Sequence, residues 1–128
     1  MAEEREPPTA VDRHAARRLL DEVAVLTRPC DLDLALFFAR HPRSLLSSDS
    51  LSAFLGYNIK DIAESLDALL TAGILRRRQT SAHAARLYEL TAEDSAGGEW
   101  LGRLMAVGAT RHGRLALLEE IAQRSQGG

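Results

Sequence analysis

The chain has 128 residues, 45% of them hydrophobic and 27% charged, the ordinary balance of one globular domain with a core of its own. Its 16 Lys and Arg against 18 Asp and Glu give a net charge of −2, so any contact with phosphates has to come from a local patch rather than from an overall basic surplus. A single cysteine, Cys30, excludes an internal disulfide framework, and the short apolar runs and polar start MAEEREPPTA argue against a membrane span or a secretory signal and for a cytoplasmic protein.

Residues 1–8 end in Pro7-Pro8 and are expected to be disordered or extended. An N-terminal helical segment is expected over 9–28, with Thr9 and Asp12 as a capping pair and Val11, Ala15, Leu19, Val23 and Leu26 as its apolar stripe. It stops before Arg28-Pro29, because the residue ahead of a proline avoids helical angles. Asp31 then caps LDLALFFARH, in which Leu32, Ala35, Leu36, Phe38 and Ala39 face inward and which Pro42 closes. RSLLS, 43–47, fits a short strand with Leu45 or Leu46 pointing inward. Ser47 or Ser48 caps a short helix with Leu51, Ala53, Phe54 and Leu55 on one side, ended by Gly56.

Asn58 is a favoured N-cap for the helix over 58–72. Ile59, Ile62, Ala63, Leu66, Leu69 and Leu70 recur there at helical spacing, and Lys60, Asp61, Glu64, Asp67 and Thr71 fall on the other face. Gly73 stands where a helix needs a left-handed residue to stop. ILRRRQ (74–79) and ARLYEL (85–90) read as paired strands, with Arg76 and Arg78 on one face and Arg77 on the other. TSAHA between them lacks Gly, Asn and Asp, which predicts a loose, mobile loop rather than a two-residue turn.

Helix, turn, helix and basic hairpin in this order make a winged helix-turn-helix. IKDIAESLDALLTAGILRRR followed by RLYELT resembles the recognition helix and wing of bacterial winged-helix regulators of the arsenic-repressor and multiple-antibiotic-resistance-repressor kinds, over about 60 residues from Leu32. The resemblance implies a dimer with this helix in the major groove of double-stranded DNA and the wing beside the phosphates. Matched residue by residue, the base-reading positions fall on Lys60, Asp61, Glu64 and Ser65, where such regulators commonly carry Ser, Thr, Arg, His or Gln. Two carboxylates there are a departure. Ser48 and Asn58 join them at the helix starts, and Arg76, Arg77, Arg78 and Arg86 are the expected phosphate contacts, since guanidinium fits phosphate oxygens bidentately. Residues 42–75 hold two basic side chains against four acidic ones, and residues 76–90 hold four against one, so the positive charge lies in the wing.

AEDSAGG after Thr91 reads as a linker. The C-terminal helical segment, 98–125, is apolar at Trp100, Leu101, Leu104, Met105, Leu115, Leu118, Ile121 and Ala122, and Gly108 and Gly113 predict two helices broken near Thr110-Arg111. Both outer segments show more apolar stripe than a small core covers, which predicts a symmetric homodimer through the first and last helices. Trp100 and Met105 would then line a packed seam or a ligand pocket.

His14, His41, His83 and His112 have no ligand spacing, so neither a metal nor a cofactor is expected. The chain also lacks a glycine-rich phosphate loop, a Gly-x-Ser-x-Gly elbow and an HExxH pair, which argues against an enzyme. The expected fold is mainly α with a small β-hairpin, a winged core at 31–91 flanked by N- and C-terminal dimerisation helices. Two functions fit it: a dimeric DNA-binding transcriptional regulator, or a winged-helix protein–protein interaction module that does not bind DNA.

Overall fold

The computed structural model describes residues 9–22, 26–78, 86–91 and 96–127. In chain order these form α1 (Ala10–Glu22), α2 (Pro29–Arg40), α3 (Ser48–Leu55), α4 (Ile59–Thr71), strands β1 (Leu75–Arg78) and β2 (Leu87–Leu90), α5 (Ala96–Gly108) and α6 (Arg111–Gly127). The molecule is helix-rich with one small antiparallel hairpin, in the order of a winged helix-turn-helix with helices added at both ends. The expected N-terminal disorder and the loop at 79–85 lie outside the described residues.

Local chemistry explains most of the boundaries. Thr9 and Asp12 form the expected reciprocal cap: the Thr9 hydroxyl accepts the Asp12 N–H at 3.2 Å and the Asp12 carboxylate accepts the Thr9 N–H at 3.1 Å. That backbone donor, with the Thr9 hydroxyl, holds Asp12 below the usual carboxylate range. Pro29 opens α2 at the first helical position, where its missing N–H costs nothing. Asp31 caps α2 from inside, its carboxylate accepting the N–H groups of Thr27 at 3.0 Å and Arg28 at 3.1 Å. Ser47, not Ser48, caps α3 by accepting the Ser50 N–H, and Gly56 leaves it at φ +81°. Asn58 caps α4 by accepting the Asp61 N–H at 2.8 Å. At the other end the Ile74 and Gly73 N–H groups return to the Leu69 and Leu70 carbonyls, both at 3.0 Å, with Gly73 at φ +79°.

Segment 43–47 is not a strand of its own. It meets β2 through one bridge, Leu46 opposite Tyr88, closed by hydrogen bonds of 3.1 and 2.8 Å. The C-terminal segment breaks at Ala109-Thr110, where the Thr110 hydroxyl accepts the Gly113 N–H at 2.9 Å. Any side chain at 113 would run into the Val107 carbonyl, so glycine is what lets α6 start this close to α5. α5 begins at Ala96, so the glycines read as linker open the helix instead.

One hydrophobic core runs through the whole chain. α2 lies at its centre, packed by α4 on one side and α5 on the other, with Leu32, Leu34, Ala35, Leu36 and Phe38 all buried. α1 runs along α6 and against α5, burying Ala16, Leu19 and Leu20 with Trp100, Leu104, Leu117 and Ile121. The α1 stripe is therefore rotated from the one expected: Val11 is 77% exposed. Much of the outer helices' apolar surface is covered within the chain, with Val11 of α1 and Leu115 of α6 left exposed. No helix among the described residues is long and apolar enough to cross a membrane.

Candidate nucleic-acid interface

α4 packs through Ile62, Ser65, Leu66 and Leu69, at the spacing of one helix face. Lys60, Ala63, Glu64, Asp67 and Thr71 lie outward, Asp61 is half-exposed, and Ile59 and Ala63, expected inside, are exposed as well. Ser65 corrects the sequence reading. It is fully buried, and its hydroxyl accepts a hydrogen bond from the Arg28 guanidinium at 3.4 Å, so it faces the protein instead of a DNA groove.

The outward carboxylates are not equivalent. Glu64 accepts from Arg28 at 2.6 Å, and the same guanidinium reaches the buried Asp31 at 3.3 Å. Arg28 is the residue that sequence reasoning missed at this surface: it precedes the winged core, and 36 positions separate it from Glu64. Asp67, by contrast, is exposed and makes no ion pair or side-chain hydrogen bond among the described residues. Lys60 is likewise exposed and unpaired there. The Asn58 side-chain oxygen is taken up by its cap, and Ser48 is half-exposed in the first turn of α3.

The wing follows α4 directly. Its register pairs Leu75 with Leu90, Arg76 with Glu89, Arg77 with Tyr88 and Arg78 with Leu87. Leu75 and Leu90 pack on the core, and the opposite face carries Arg76, Arg78 and Glu89. Glu89 accepts from Arg76 at 2.8 Å and from Arg78 at 3.4 Å, so one carboxylate offsets part of two positive charges. Arg77 and Arg86 are exposed and have no acidic partner among the described residues. They are the free cations among the wing's described residues.

The turn between α3 and α4 is tied to the far end of the chain. The Tyr57 hydroxyl donates to Asp33 at 2.6 Å, and Arg114 of α6 binds the other oxygen of that carboxylate at 2.8 Å. Burial, and then the bond to Asp33, push the Tyr57 phenol above its ordinary range, so it stays a donor. α6 thus fixes the position of the turn on which α4 begins.

Cys30 is buried at the start of α2, with its thiol 3.7 Å from the Asp61 carbonyl. Burial pushes the thiol up and keeps it protonated. Iodoacetamide near neutral pH is therefore expected to alkylate it at least about tenfold more slowly in the folded protein than in denaturant, read by mass spectrometry; equal rates would contradict this. Trp100 is buried in the core. Its indole N–H donates to the Leu19 carbonyl at 2.8 Å inside the core, whereas Met105 borders a shallow apolar groove of about 210 Å³ with Ala39, Pro42 and Leu90. No group of three His, Cys, Asp or Glu among the described residues is placed to hold a metal ion.

Comparison with protein-family models, with curated proteins and with solved structures returns no match.

Proposed function

We propose that the chain is a winged-helix DNA-binding protein, and more particularly a cytoplasmic regulator of transcription that grips the duplex backbone chiefly through its wing. The observation that supports this best is the adjacency of an outward α4, held by the Gly56 turn and the Asn58 cap, to a hairpin whose Arg77 and Arg86 have no acidic partner among the described residues. A helix of this kind fits the major groove, and cations beside it meet the phosphates. Lys60 is the base- or phosphate-reading side chain, while Glu64 and Asp67 limit readout to positions where a carboxylate accepts from cytosine N4. Pairing of two chains is proposed through Val11 and Leu115, which α1 and α6 leave 77% and 37% exposed.

Arg77→Ala and Arg86→Ala are each expected to weaken binding to every duplex and to lower the log–log salt slope by about one. Arg76→Ala and Arg78→Ala should do less, because Glu89 already competes for both. Lys60→Ala should blur sequence preference. Fluorescence anisotropy on duplexes of varied sequence measures all three, and unchanged slopes in the Arg77 and Arg86 variants would remove the wing from the contact.

A second reading has its own support: Asp67 unpaired on the outer face of α4, and Ser65 withdrawn from it, suit a helix that meets a basic protein surface. Charge reversal at Asp61 and Glu64 would abolish such a partner contact while leaving the fold intact, and retained capture would rule out this helix as the contact surface.

A further inference from the structure

The three phenylalanines of the chain form one ladder from the core to the surface. Phe38 is fully buried; Phe37 meets it edge-on at 5.5 Å and 88°; Phe54 of α3 lies nearly parallel to Phe37 at 6.1 Å and 20° and is 66% exposed. His41 leans on the same Phe37 ring at 4.9 Å. An exposed phenylalanine forgoes the gain of burial, and this one is also stacked on a ring that packs against the core, so its position is set in advance.

The residues that follow Phe37 along the chain are basic. Arg40, His41 and Arg43 are exposed, and neither arginine has an acidic partner among the described residues. Between Asp33 and Asp49 the sequence holds no carboxylate, and Asp33 is engaged by Tyr57 and Arg114. One pre-set aromatic ring, stacked on a helix that ends in Arg40 with Arg43 just beyond it, has the composition of a protein-binding hot spot, in which the ring fills a pocket and the charged rim selects the partner. Single-stranded nucleic acid would call for several exposed rings in succession along a basic groove, and here one ring is exposed.

We infer that the Phe54–Phe37 patch, with Arg40 and Arg43 at its rim, is the docking surface for an acidic segment of a partner protein that carries one large apolar anchor. This goes beyond the DNA-binding reading and does not rest on it. The Cys30–Asp61 contact places the start of α2 beside the start of α4, and Phe37 lies seven residues further along α2, about 10 Å away along the axis. Phe54 also faces α2, whereas the Lys60–Thr71 stripe is on the face of α4 away from the core. A partner here borders the α3–α4 turn, where Tyr57 binds Asp33 one turn before Phe37 on α2.

The test is selection of displayed random short peptides on the full chain, followed by anisotropy of the labelled consensus peptide. The expected winners are rich in Asp and Glu around one Phe, Trp or Leu, with binding that weakens as salt rises. Phe54→Ala, and separately Arg40→Glu with Arg43→Glu, should each lower affinity about thirtyfold, and Asp67→Arg should leave it unchanged. Unchanged circular dichroism and thermal unfolding in these exposed-site variants excludes loss of fold as the cause. The inference is overturned by failure to select any peptide whose binding depends on Phe54, by winners that are basic or neutral, or by an oligothymidylate that displaces the peptide. It is equally overturned by a wild-type homodimer in sedimentation that Phe54→Ala dissolves, because the occupant would then be a second copy.

Discussion

Trp100→Ala is expected to cost about 3–5 kcal/mol of folding stability, the range for truncating a large buried aromatic. The side chain is 2% exposed and stands where α1 meets α5. Its indole N–H matters as well as its volume. Leu19 lies in the last turn of α1, where carbonyls have run out of intrahelical donors, and the indole at 2.8 Å supplies one. Arg124 does the same from α6 for the Leu20 carbonyl and also reaches the Arg17 carbonyl, both at 3.4 Å. Trp100→Phe keeps part of the volume and loses the donor, so it should fall between wild type and alanine. Urea unfolding followed by circular dichroism measures both. A cost under about 1 kcal/mol for the alanine variant would mean that the α1–α5 packing does not hold in solution.

Asp31→Ala should be comparably severe, about 3–5 kcal/mol, because it removes a fully buried carboxylate, paired to a partly exposed arginine, and orphans two backbone donors at once. The carboxylate is 0% exposed and accepts from the Thr27 N–H, the Arg28 N–H and the Arg28 guanidinium. Asp31→Asn keeps an acceptor and loses the charge, so it should cost less. Glu64→Ala offers the internal comparison: its pair with Arg28 is shorter, at 2.6 Å, yet its side chain is 51% exposed, and an exposed pair of this kind is worth about 0–1 kcal/mol. If both alanine variants cost the same, burial is not what gives Asp31 its weight.

The helix ends could be read in the sequence because their causes are local. Thr9 with Asp12, Ser47, Asn58, Gly56 and Gly73 each act on backbone groups two to five residues away, and each is found in its expected role. Which face a helix buries depends on neighbours, and there the reading slipped. Apolarity alone turned α4 toward Ile59 and Ala63, but α2 lies over Ser65, where Cys30 and Arg28 provide a small polar niche that a serine fills. The Arg28–Glu64 pair joins residues 36 apart and leaves no local pattern. The outer helices show the same limit from another side. Their stripes said that they are buried without saying against what, and the structure places α1 on α5 and α6 of the same chain. Among the expected DNA-contacting residues, Lys60, Arg77 and Arg86 lie exposed and unpaired among the described residues, Arg76 and Arg78 share Glu89, and Ser65 is withdrawn.

The proposal that this chain binds DNA is tested most directly by fluorescence anisotropy of the purified protein on a random-sequence duplex pool, at low and at near-physiological salt. The account predicts binding at low salt that weakens steeply as salt rises, as contacts from wing arginines to phosphates require. No binding at low salt would contradict it and would transfer the outer face of α4 to a protein partner.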